Sequence, residues 1–173
     1  MTKNSRRHTL TPMHQLASEH YLAGRKNEAA EIYNQLLQMD PSDAIALHGI
    51  GLIELNNSNI NQAIIAIEKA LALDSQNSEF LVTLGIAHSM NHSLQIAKKL
   101  FREAIKLKPN NLNARYNFGL CLLDTGESNL AISEFRRILQ KQTRNTDALL
   151  HLSIAYIREG DFLKATQHLK RCL

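Results

Sequence analysis

Eight histidines and two cysteines are the side chains best suited to nucleophilic or metal chemistry. His88 and His92 stand four apart, the separation at which two imidazoles on one helix face can chelate a metal. No Cys, Asp or Glu at ligand spacing joins them, and His92 falls at a break between helical stripes, so the pair reads as a surface or turn pair. Cys121 and Cys172 have no C-x-x-C context and fall on apolar-periodic positions, where a thiol acts as a small hydrophobe. His14, His48 and His151 are spread along one presumed helix face and could titrate near neutrality, but nothing in the sequence pairs them. The chain contains no P-loop, no G-x-G-x-x-G after a strand and no G-x-S-x-G elbow. These residues therefore predict no enzyme, no cofactor and no metal within the chain, although an enzymatic domain beyond Leu173 would be invisible to them.

Bulk features narrow the class. No apolar run approaches the length of a membrane span, and the basic start MTKNSRRHTLTP leads into no apolar stretch of a secretory signal. Two cysteines far apart suggest a reducing compartment, and a cytoplasmic location is expected. The formal charge of +4 conceals a division: residues 10–77 carry 3 basic and 8 acidic side chains, residues 78–173 carry 14 and 8. The basic part could meet an acidic partner or be a solvated face. Nucleic-acid binding usually adds stacking aromatics to such charge, and only Tyr116 and Tyr156 lie nearby, so it is not expected.

The elements that would position these side chains follow from a period. FREAIKLKPNN at 101–111 restates IEKALALDSQN at 67–77 and YNQLLQMDPSD at 33–43. With residue 10 as position 1, the frames are 10–43, 44–77, 78–111, 112–145 and an incomplete 146–173, after a basic tail at 1–9 expected to be disordered. Position 20 is Ala29, Ala63, Ala97, Ala131 and Ala165; position 8 is Ala17, Gly51, Gly85, Gly119 and Ser153. Each frame carries two apolar stripes at helical spacing, separated by a break at position 15 where Gly24, Gly126 and Gly160 permit a turn. Pro41 and Pro109 close the second stripe, and Thr11-Pro12 reads as the cap and first residue of the first helix. Small residues at positions 8 and 20 let paired helices approach closely.

The glycines at position 8, the five alanines at position 20 and Pro41 and Pro109 resemble the tetratricopeptide repeat (TPR) family over residues 10–173. Ser75 and Thr143 depart from it where Pro is frequent, and no Trp stands at position 4. The resemblance implies an all-α solenoid of five helix-turn-helix repeats in a right-handed array, with first helices lining a concave face. Its carboxylate clamp for acidic tails is absent: His14, Ser18, Gly49, Glu79 and Thr83 stand at the positions it needs. Its asparagine ladder is represented by Asn117 alone.

The family's groove positions also form one stripe by helix geometry. Here they comprise Ile45, His48, Leu52 and Leu55; Val82, Ile86 and Met90; Tyr116, Asn117, Leu120 and Leu123; and Leu150, His151, Ile154 and Ile157. The helix ARYNFGLCLL is apolar nearly all round and must be covered on every side. Either the groove receives an apolar peptide or helix from a partner protein, or the chain's own curvature or further sequence covers the stripe. The expected function is a protein-interaction scaffold, with a substrate-recruiting module of a larger glycosyl- or sulfotransferase as the rival. Phe162, Leu169, Cys172 and Leu173 have no following helix, so self-association or further native sequence is expected there.

Overall fold

The computed structural model describes residues 3–172, with side chains from Pro12 to Cys172. Among them are ten helices. They are α1 (Lys3–Leu22), α2 (Lys26–Met39), α3 (Ala44–Asn56), α4 (Ile60–Leu73), α5 (Ser78–Met90), α6 (Leu94–Leu107), α7 (Leu112–Asp124), α8 (Ser128–Lys141), α9 (Thr146–Arg158) and α10 (Phe162–Leu169). The starts of α3, α5, α7 and α9 are spaced by the sequence period. The side chains of the tail at 1–9 lie outside the described residues. Helix α1 is assigned from Lys3, so Pro12 sits inside it and not at its first turn, where a proline would have had no helical hydrogen bond to forgo.

Each helix begins and ends for a local reason. Position 34 of every complete frame is an Asp or Asn that caps the following helix. Asp43 accepts from the amides of Ile45 and Ala46, Asn77 from Glu79 and Phe80, Asn111 from Ala114 and Asn145 from Ala148. The turn within each hairpin passes through one left-handed residue at position 15: Gly24, Ser58, His92, Gly126 and Gly160, with φ between 56° and 78°. His92 therefore lies beyond the end of α5 and off the helix that carries His88, which removes the chelating geometry.

The chain forms two compact units, residues 1–87 and 88–173, each built of antiparallel hairpins. In the first, Ala17, Ala29, Tyr33, Leu36, Ala46 and Ile53 are buried together. In the second, Phe135, Leu122, Ile138, Leu149 and Leu152 are the large fully buried side chains of α7, α8 and α9. Close approach is literal at position 8: a methyl group on Gly51 would fall 2.5 Å from Ile67, and one on Gly119 2.7 Å from the Phe135 ring.

Candidate functional site

The first helices carry the candidate site, and a recurrent polar contact ties α1 to α3 and α3 to α5 in the first unit and α7 to α9 in the second. His48 of α3 bonds through Nε2 to the Thr83 hydroxyl of α5 at 2.8 Å, and its ring lies 4.5 Å from that of Phe80. Burial pushes its pKa down to about 4, so at neutral pH the imidazole is uncharged. Thr83 donates its one proton to the carbonyl of Glu79, so Nε2 of His48 is the donor of the pair. Thirty-five residues separate His48 from Thr83, and the same separation joins Tyr116 to His151 at 3.3 Å and Asn56 to Tyr21 at 2.5 Å. Arg158 donates to the carbonyl of Leu123 at the same spacing. His14 reaches Asp43 at 2.8 Å, so the capping carboxylate also braces α1. One period plus one residue is the step from a first helix to its neighbour.

This ladder sorts the sequence-derived stripe. Val82 and Leu123 are 1% and 4% exposed and Leu55 is buried, so these three serve the core and offer no surface. Leu52, Ile86, Leu120 and Ile154 are half-buried. Asn117 donates to the backbone and side-chain oxygens of Asn113, so its amide is engaged within its own helix. On α9 of the second unit the stripe is open at two positions: Leu150 is 43% exposed and Ile157 is 46% exposed, flanking Ile154. On α3 of the first unit, Ile45 is likewise exposed.

Beside α9's N-terminus the second unit has a pocket of about 290 Å³. Leu112 and Asn113 of α7, Tyr116, Ile138 of α8, Gln142, Asn145 and Asp147 line it. Burial, and then the nearby Asp147 carboxylate, raise the Tyr116 pKa, which keeps its hydroxyl protonated. The sequence reading named Tyr116 here; Gln142 and Asn145 belong to a turn outside the first-helix stripe, whereas Asn113 and Asp147 stand at position 2 of their frames, on α7 and α9, and were legible there.

Elsewhere two of the second unit's buried cations are used internally. Arg115 bonds to Glu134 at 2.6 Å and to the carbonyl of Pro109, and Lys98 pairs with Glu127. The Cys121 thiol donates to the carbonyl of Leu94, and burial raises its pKa, away from the thiolate a nucleophile needs. Among the described residues no group of three His, Cys, Asp or Glu could hold a metal ion, and no helix is long and apolar enough to cross a membrane.

Two family models match this arrangement, one described as tetratricopeptide repeat over residues 14–78 and one as anaphase-promoting complex, cyclosome, subunit 3 over residues 56–138. Both describe the same helical repeat. The chain belongs to the tetratricopeptide repeat family. Among TPR relatives, anaphase-promoting complex subunit 3 of Schizosaccharomyces pombe is 32% identical over 106 residues, 61% of this chain and 16% of that protein. The human protein O-mannosyl-transferase TMTC3 is 24% identical over 147 residues, 84% of this chain and again 16% of that protein. The chain thus spans about a sixth of the length of either relative. The solved structure of pilF from Pseudomonas aeruginosa superposes with a TM-score of 0.89 at 22% identity, over 97% of this chain and 77% of that one, and shows the shared TPR fold. The architecture is that of a repeat-based protein-interaction scaffold.

Proposed function

We propose that the TPR chain holds an apolar segment of a partner protein, extended or helical, against the first-helix face of its second unit. The observation that carries this reading is the ridge Leu150, Ile154 and Ile157 on α9. Its two ends are 43% and 46% exposed, while the polar groups beside it, Tyr116, His151 and Asn117, already have partners within the chain. Apolar residues at i, i+4 and i+7 present one continuous strip, which suits a helix or strand laid along a groove. Leu120 on α7, on the same sequence stripe, is half-buried.

The reading is tested by selecting displayed peptides on the whole chain and measuring their binding to Leu150→Glu and Ile157→Glu. Both side chains are exposed, so neither substitution disturbs the core. Apolar peptides should be selected, and either substitution should weaken them about tenfold or more, with helical circular dichroism unchanged. Selected peptides that bind both variants as tightly as the parent would exclude this face. A second reading is that the chain recruits substrate for a larger enzyme. Its similarity to one-sixth of a protein O-mannosyl-transferase favours it. A native reading frame that encodes a transferase domain alongside this one would decide for it.

A further inference from the structure

The pocket beside α9 has a chemistry of its own, fixed by hydrogen bonds that leave little freedom. Asn145 accepts from the Ala148 amide through Oδ1, so its NH2 group must be what donates to Gln142 at 2.8 Å. That sets Gln142 with Oε1 engaged and its NH2 left over. Asn117 donates to the backbone carbonyl of Asn113 at 2.9 Å, so the atom of Asn113 that it also meets at 2.7 Å is the oxygen. Asn113 likewise has an NH2 group left over. His151 contacts the backbone carbonyl of Asp147 through Nδ1 at 2.9 Å; a carbonyl only accepts, so Nδ1 carries the proton and donates. The Tyr116 oxygen, 3.3 Å from the same Nδ1, is then an acceptor in that contact, and its own proton is unspent. The lining therefore offers unspent N–H or O–H groups of Asn113, Gln142, Asn145 and Tyr116 and one carboxylate, Asp147, beside the apolar surface of Leu112, Ile138 and the Tyr116 ring.

We propose that this pocket takes a primary carboxamide, the side chain of an asparagine or glutamine in the partner segment. The proposal rests on the groove reading for where that side chain comes from, but not for the chemistry that holds it. A carboxamide accepts through its oxygen from Asn113, Gln142, Asn145 or Tyr116 and donates through its NH2 to Asp147, while its methylenes meet the apolar side chains of the lining. A guanidinium or ammonium would satisfy Asp147 but set its own N–H groups against those donors. A carboxylate would accept from the donors but face the Asp147 charge. At about 290 Å³, the volume is below that of drug-sized sites and suits one side chain.

The experiment uses the whole chain, isotopically labelled, titrated with N-acetyl-asparagine N-methylamide and followed by NMR. The matched N-acetyl-aspartate and N-acetyl-arginine N-methylamides are the comparison arms. The asparagine probe should give saturable shifts at Asn113, Gln142 and Asp147 and bind about fivefold or more tightly than either comparison. Asp147→Ala should weaken it by about the same factor. Absence of saturable shifts, tighter binding of the arginine or aspartate probe, or indifference to Asp147→Ala would each overturn the proposal. Because the probe carries no apolar segment, its binding and the peptide-selection result fail independently.

Discussion

At the scale of single residues, His48 shows how a position on the first-helix stripe becomes structural. Its imidazole is held between the Thr83 hydroxyl and the Phe80 ring, and burial lowers its pKa from 6.5 to about 4. The unfolded chain therefore binds a proton between those pH values that the folded chain refuses. The resulting stability is fully present above pH 6.5 and is lost as pH falls toward 4, by up to about 3 kcal/mol. Urea midpoints at pH 4.5 and pH 7 should differ more in the parent than in His48→Leu, because other titrating groups act in both and cancel. Equal differences would mean that His48 is not the linked group. The sequence placed His48 on the inner face but could not show its neutrality, since Thr83 lies 35 residues away and only the stacking of α3 on α5 brings it near. Arg115 was hidden the same way: within an otherwise apolar helix it is buried against Glu134 of α8, which no local pattern signals.

At the scale of elements, the hairpins are set by small residues whose reasons were readable in advance. The fixed period exposed the glycines at position 8, and the structure supplies the contacts they permit: Gly51 on Ile67 and Gly119 on Phe135. Two effects oppose each other in Gly119→Ala. Alanine gains about 1 kcal/mol of helix propensity. Its methyl, however, would sit 2.7 Å from a fully buried ring, and overpacking costs about 1–3 kcal/mol. The Phe135 ring lies within 6.0 Å of Tyr116 and 5.8 Å of His151, so it has little room to retreat and the clash should win. Chemical denaturation should show Gly119→Ala less stable than the parent by about 1 kcal/mol or more; a stabilised variant would show that α7 and α8 can separate freely. The Asp and Asn caps stand at position 34 of every complete frame, so they too are legible in the period. The turn at His92 was harder to read, because a left-handed residue without glycine has only its register to mark it.

At the scale of the whole chain, repetition determines how damage spreads. Stability in a repeat array is close to a sum of intrinsic and nearest-neighbour terms, so no single centre holds every helix. Leu152 on α9 is fully buried, and its truncation to alanine should cost about 2–5 kcal/mol. In a globular domain with one core, that loss would appear at every slowly exchanging amide. Here α9 packs on α8 and α10 within the second unit, while α1 to α4 belong to the first unit. Hydrogen exchange of Leu152→Ala should therefore show protection falling in α8, α9 and α10 and largely retained in α1 to α4. The ridge proposed to hold peptides, Leu150, Ile154 and Ile157, shares α9 with Leu152, so on that proposal the same variant should lose selected peptides while the first unit stays folded. Uniform loss of protection from α1 to α10 would mean that the chain unfolds as one cooperative body, and that nearest-neighbour stacking is not what holds it together.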